Sequence, residues 1–250
     1  LVSAVWTYGK PGTHQWRGKG SESGHSIHKS SQFMMVRSKD DGLTWSVPEN
    51  WTKRLKVPQW FLFAPAPGNG INLMDGTLVM PTQGRDAKGL PFSNFMWSKD
   101  HGKSWTLSSP ARENTTECSV AELRDGSLML NIRDNRNRSD KSKTNGRAVS
   151  VTSDMGKTWE VHSSDHGALP EPVCMASLIS HDLKDGRRVL FFSNPNSKYK
   201  REKMTVRMSL DQGKTWPKSI LLDKEGGAYS SLAMVDDRTL GILYESSVAD

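Results

Sequence analysis

The sequence predicts an all-β chain organised as a β-propeller. Three observations carry that reading: a turn motif ending in Trp that recurs at nearly constant spacing, a second series of Asp-Gly turns interleaved with it, and short apolar runs between the two. The motif Ser/Thr-x-Asp-x-Gly-x-Thr/Ser-Trp stands as SKDDGLTW at 38–45, SKDHGKSW at 98–105, TSDMGKTW at 152–159 and SLDQGKTW at 209–216, with its glycines 60, 54 and 57 residues apart. In each copy the Asp can accept amides of its own turn, the Gly permits positive φ, and the Trp plugs the hairpin onto a neighbouring layer. Recurrence at four equivalent places marks Asp40, Asp100, Asp154 and Asp211 as folding elements rather than catalytic carboxylates.

Tight turns of the second series fall at Asp75-Gly76, Asp125-Gly126, Asp185-Gly186 and Asp236-Asp237, each between apolar runs, which is a strong hairpin signal. One unit therefore reads strand, Asp-Gly turn, strand, link, strand, box, strand: four antiparallel strands, the blade of a propeller. Whole units span about 65–112, 117–165 and 171–222, while 1–57 hold the later part of one unit and 229–250 the first hairpin of another. Such a chain is expected to be part of a larger ring; closure of the two partial units into a composite blade of a four-bladed ring is the alternative.

The repeat also supplies a coordinate system. Glu117 lies eight residues before Asp125 and Tyr229 eight before Asp237, while Gln83, Arg133, Ser193 and Glu245 lie eight after their turn Asp residues. Both sets fall at the open end of the first hairpin. If that hairpin is innermost, these side chains converge near the axis, which explains why an apolar strand in NTTECSVAEL opens on a Glu.

On these motifs the chain resembles the non-viral exo-α-sialidases (neuraminidases) of the Asp-box, BNR-repeat type over nearly its whole length. The resemblance is carried by PAPGNGINLMDGTLVMPTQ at 65–83, TTECSVAEL with NIR at 131–133, SNPNSKYKREKMTVRMSLDQGKTW at 193–216, GGAYSSL at 226–232 and LYE at 243–245. It implies a six-bladed β-propeller of which residues 1–250 supply about four blades, as a single catalytic domain incomplete at its N-terminus and at its C-terminus. It implies a retaining exo-sialidase, a glycoside hydrolase that removes terminal α-linked sialic acids. By the same resemblance Tyr229 is the nucleophile, Glu117 its base, Arg133 and Arg201 two of three arginines that bind the sugar carboxylate, and Glu245 the residue that orients the first of those arginines. Lys198, Lys200 and Arg207 compete with Arg201 for its place, with Arg207 expected to point sideways along its strand. Gln83 and the segment 60–63 are candidates to line the sugar pocket, with a core role for Trp60 and Phe61 as the alternative.

The chemistry fits those residue types. A carboxylate at the anomeric carbon repels an anionic nucleophile, whereas a phenol activated by a neighbouring carboxylate avoids like charge. Arginine forks grip a planar carboxylate bidentately and keep their charge. The family's first arginine, in an Arg-Ile-Pro motif, and the acid/base Asp after it have no counterpart in residues 1–26, where Glu22 is the only acidic residue and Arg17 lacks the motif. Two readings stand beside hydrolysis: a non-catalytic propeller that binds sialylated glycans, and a trans-sialidase or intramolecular release enzyme using the same residues.

Composition bounds the partners. Net charge is +7, with Lys and Arg dispersed rather than blocked, so no nucleic-acid partner is expected; the expected partners are sialylated oligosaccharides, glycoproteins or glycolipids. No run of about 18 apolar residues occurs, so no membrane span is expected. LVSAVWTYGK has neither an initiator Met nor a signal-peptide pattern and reads like the middle of a protein, with a secreted, periplasmic or lysosomal location expected. No cofactor and no metal are expected: Cys118 and Cys174 lack ligand spacing, and His14, His25 and His28 sit in a polar stretch. Sequons begin at Asn50, Asn114 and Asn137, a triplet that arises often by chance.

Overall fold

The computed structural model describes residues 1–7, 21–142 and 145–247; His14 and Arg17 lie outside them. Its strands form four antiparallel sheets. The first joins β1 (Val2–Trp6), β2 (Gln32–Val36) and β3 (Glu49–Asn50) in that order. In the second, β4 (Leu62–Pro65) and β5 (Ile71–Asn72) form a broken inner strand beside β6 (Leu78–Arg85), followed by β7 (Pro91–Ser98) and β8 (Thr106–Leu107), with β9 (Arg112–Glu113) also on β7. The third runs β10 (Thr115–Glu122), β11 (Leu128–Asp134), β12 (Ala148–Thr152) and β13 (Glu160–Val161). The fourth runs β14 (Ser177–Asp182), β15 (Arg188–Pro195), β16 (Glu202–Ser209), β17 (Lys218–Met234) and β18 (Leu240–Ser247).

The unit read from the sequence is present in the third and fourth sheets. One feature was not legible: β17 is a single 17-residue strand whose first half is the outer strand of the fourth sheet and whose second half pairs with β18 as the inner hairpin of the next blade. The composite blade is not formed, since among the described strands β1 pairs only with β2 and β18 only with β17.

Apolar clusters lie between the sheets. Phe33 and Met35 pack on Phe63 and Met96 between the first and second. Val79 and Phe95 meet Val120, Leu130 and Ile132 between the second and third, and Met129 and Val149 meet Leu178, Leu190 and Phe192 between the third and fourth. A sheet packed on both faces has no polar face, so β11 is buried at all seven positions and shows no hydrophobic alternation. Serines and an asparagine tie the inner strands together: Ser119 donates to the Ala176 carbonyl (2.6 Å), Ser177 accepts the Leu232 amide (3.0 Å), and Asn69 donates to the Leu232 carbonyl (3.0 Å).

The four boxes share one geometry. The Ser or Thr at 38, 98, 152 and 209 accepts the box Gly amide at 2.8–2.9 Å and donates to the box Asp at 2.7–2.8 Å. The Asp in turn accepts the amide four residues on at 2.9–3.0 Å. Donation from the Thr44 and Ser104 hydroxyls, then from the backbone, holds Asp40 and Asp100 below the usual carboxylate range. Beyond the Gly, the residue before it is also left-handed, at φ 55, 59, 59 and 62° for Asp41, His101, Met155 and Gln212.

Three boxes latch onto the preceding sheet. The Gly102 carbonyl accepts the Arg37 guanidinium, the Gly156 carbonyl accepts the Ser109 amide (2.8 Å), and the Gln212 side chain accepts the Arg124 amide (2.7 Å). Trp159 donates to the Ser109 carbonyl (3.1 Å) and stands edge-on to Phe95. In the three Asp-Gly turns of the other series only the Gly is left-handed, at φ 84° for Gly76, 82° for Gly126 and 80° for Gly186, and its amide donates to the carbonyl three residues back, as in a type I turn with a Gly bulge.

Beside the second sheet, Lys56 follows the short helix α1 (Thr52–Leu55) and is 3% exposed. Its ammonium donates to the carbonyls of Gly24 (2.9 Å), Glu22 (3.3 Å) and Phe61 (3.4 Å) and to the Ser30 hydroxyl, an oxygen cage without a carboxylate. Burial, and then the charge of Arg85, pull the amine down to about 8.

Two outcomes follow. Gly156→Ala puts a Cβ 2.3 Å from that of Ser108 at φ 75° and should cost about 2–4 kcal/mol in urea unfolding, against about 1–2 kcal/mol for Gly76→Ala, which meets nothing within 4 Å; equal losses would rule out the latch contact. For Lys56, the unfolded chain keeps a proton between pH 8 and 10.5 that the folded chain has released, so its destabilisation is complete below pH 8 and relieved as pH rises to 10.5. The stability of the parent relative to Lys56→Met should therefore rise by roughly 3 kcal/mol across that window, and a flat difference would contradict the burial.

Candidate active site

The open ends of the inner hairpins meet at a cleft of about 1320 Å³, lined among others by Glu117, Arg133, Arg201, Gln83 and Tyr229. That exceeds the roughly 300–1,000 Å³ of most small-ligand sites.

Two of these side chains reach the cleft because their strands break register. The pairing of β10 with β11 shifts between Thr115 and Cys118, and that of β17 with β18 between Gly227 and Ser230. Bulges re-aim side chains; the first carries Glu117 and the second Tyr229, which come together from positions 112 residues apart. Cys118, in ladder beside Glu117, turns the other way and is 2% exposed, its thiol pushed up to about 12 by burial.

The Glu117 carboxylate accepts the Tyr229 hydroxyl on one oxygen and Arg133 Nη1 on the other. Arg133 Nη1 also lies 3.3 Å from the Tyr229 hydroxyl, closing a triangle of guanidinium, carboxylate and phenol. Burial, and then the Glu117 charge, raise the phenol well above its ordinary value. Tyr229 therefore holds its proton, in contact with the Glu117 carboxylate. For Arg133, burial works against the charge, but the Glu117 carboxylate outweighs it and raises the guanidinium further.

Arg201 lies over the Tyr229 ring, 5.7 Å from its centroid, and Nη2 donates to the Val173 carbonyl at 3.2 Å. Lys198, Lys200 and Arg207 do not line the cleft, and Arg207 is half-buried within β16. Gln83 lines the cleft and donates to the Pro65 carbonyl (3.3 Å). Glu245 stands outside it: exposed on β18, it accepts the Tyr229 amide (3.1 Å). Ser193 is buried against Ser230 (2.8 Å), and of residues 60–63 only Leu62 lines the cleft, Trp60 packing edge-on against Phe92 in the core. Asn137, start of the third sequon, is fully buried and donates to the Gly146 carbonyl, which excludes a glycan there.

Behind the cleft lies a pair that no motif announced. Arg147 and Glu171, both with fully buried side chains, meet at 3.0 Å. Arg147 also donates to the Asn131 side chain (2.7 Å) and the Cys174 carbonyl (2.7 Å), and Glu171 accepts the amides of Asp134 (3.3 Å) and Cys174 (3.1 Å). Burial drives the Glu171 carboxyl up, to about 7, against the pull of Arg147. Arg85, Asn114, Asn135 and Arg138 also line the cleft unannounced, from strand ends and loops outside the repeat register. Glu117 is the only carboxylate among the described residues of the lining, and no three His, Cys, Asp or Glu side chains among the described residues are grouped to hold a metal.

Twisted sheets packed face to face, with polar side chains gathered at the inner strand ends, make this a β-propeller of the sialidase fold; a Hadza microbial sialidase superposes with a TM-score of 0.91 at 45% identity, covering 98% of this chain and 47% of that one. Residues 7–243 match the BNR repeat-like domain, and the chain belongs to that family. It is 48% identical over 254 residues to a sialidase of Bacteroides fragilis, covering 99% of this chain and 45% of that protein. To a sialidase of Micromonospora viridifaciens it is 34% identical over 220 residues, 84% of this chain and 33% of that protein. The chain thus spans less than half the length of each of these relatives.

Replacing Arg147 by Met strands Glu171 in an apolar interior. A loss of about 3–5 kcal/mol in urea unfolding is expected; a loss under about 1 kcal/mol would show that the pair is dispensable.

Proposed function

We propose that the chain carries the nucleophilic side of a retaining exo-sialidase site acting on terminal α-linked sialic acids of glycans. The observation that supports it above others is the contact of the Tyr229 hydroxyl with Glu117, since binding alone does not require a phenol poised on a base. Glu117 takes the phenol proton as the Tyr229 oxygen attacks the anomeric carbon, forming a C–O bond between sugar and tyrosine while the glycosidic C–O bond breaks and the aglycone oxygen takes up a proton from solvent water. Water then attacks the same carbon from the vacated face, giving retention: the bond to the Tyr229 oxygen breaks, that oxygen recovers its proton from Glu117, and the attacking water gives up one proton to solvent.

The arginines hold the substrate through this sequence. Arg133 Nη2 has no protein acceptor among the described residues, and Arg201 is anchored by one carbonyl, so both retain donors for a sugar carboxylate. Their fixed charge beside the reacting carbon also favours the ionised carboxylate as positive charge develops in the ring.

The test is hydrolysis of a fluorogenic α-sialoside, with the first-formed anomer of the product read by NMR. Release of the α-anomer is expected, with Tyr229→Phe slowing turnover by at least roughly 10³-fold at an unchanged melting temperature. A near-normal rate in that variant, or the β-anomer as first product, would overturn the mechanism. Binding of sialic acid without turnover would favour the glycan-binding reading.

A further inference from the structure

Val173 has φ 58°, and among the described non-glycine residues with positive φ it is the only β-branched one. A Val there is a backbone outlier, which persists only where its surroundings impose it. Both flanks of the residue are pinned. Glu171 accepts the Cys174 amide, and Arg147 donates to the Cys174 carbonyl; on the other side, Asn194 donates to the Pro170 carbonyl (2.7 Å) and the Leu169 carbonyl accepts the Arg147 amide (2.9 Å). The Val173 side chain is itself buried at 7% exposure.

The strained peptide has one outward contact of consequence: its carbonyl accepts Arg201 Nη2. The same buried pair reaches the strand of the other cleft arginine, through the Asn131 side chain and carbonyl on one side of Arg133 and the Asp134 amide on the other. Two arginines on different sheets are thus referred to one internal ion pair.

We propose that the turn 171–174 is a positioning device for Arg201: the left-handed backbone at Val173 presents its carbonyl to the guanidinium, and the Arg147–Glu171 pair holds that backbone in register with Arg133. Val173 and Glu171 act through Arg201 and touch no substrate. The inference rests on the sialoside reading of the cleft, because it assigns Arg201 to an acidic sugar.

The test is a double-mutant cycle on the binding of a 2,3-unsaturated sialic acid inhibitor by calorimetry, using the full chain. Gly and Pro both remove the Val173 side chain, but only Gly can adopt the left-handed φ. Val173→Pro is expected to weaken binding about tenfold or more and Val173→Gly less than about threefold, as for loss or retention of one anchored charged donor. In an Arg201→Ala background Val173→Pro should change affinity by less than about twofold. If Val173→Pro does not fold, Glu171→Gln takes its place in the cycle with the same expectation. Equal losses for Gly and Pro, or additive losses in the cycle, would overturn the positioning role and leave the cleft's function standing. A parent chain that does not bind the inhibitor overturns the functional reading and this inference with it.

Discussion

Burial on both faces is the constraint from which the rest of this structure follows. A sheet that packs against a neighbour on each side can expose polar groups only at its strand ends and outer edge. Both places are used: Asp boxes lie on the periphery, and bulged inner strand ends surround the cleft. Chemistry is confined to the ends because the faces are committed to Phe, Leu, Met and Val. The cost is that a polar side chain needed behind the cleft must be fully satisfied, which is what the Arg147–Glu171 pair achieves with carbonyls, amides and Asn131.

The phenol and carboxylate show how such an architecture sets reactivity. Tyr229 is half-buried beside a negative charge, so its proton is held more tightly than in water, yet the acceptor for that proton is already in contact. Arg133 touches both partners and leaves the carboxylate in contact with the phenol.

What the sequence revealed divides along the range of the interactions. An Asp box closes within eight residues by hydrogen bonds to itself, so its residues are written consecutively and could be read directly. Glu117, Tyr229, Arg133 and Gln83 are remote from one another but share a place in the repeat, and counting from the turns brought them together. Ser193 and Glu245 share that count and do not line the cleft, because register sets where a residue sits along a strand and not which way a bulge turns it. Arg147, Glu171, Val173 and the lysine cage have no repeat relation and no local motif. Their partners are carbonyls and amides, which every residue carries, and only the packed fold selects among them. The unbroken run of β17 was hidden for a similar reason: Gly226-Gly227 permits a turn, and the pairing with β16 and β18 on either side holds it extended.

The latches between sheets point one way along the chain. Boxes at 98–105, 152–159 and 209–216 each grip a residue of the sheet made before them: Arg37, Ser109 and Arg124. A ribosome delivers the chain in that same order, so each of these three boxes emerges after the residue it grips. At the periphery the order of the chain is thereby written in space, with three of the four Asp boxes acting as catches that each close one sheet onto the sheet before it.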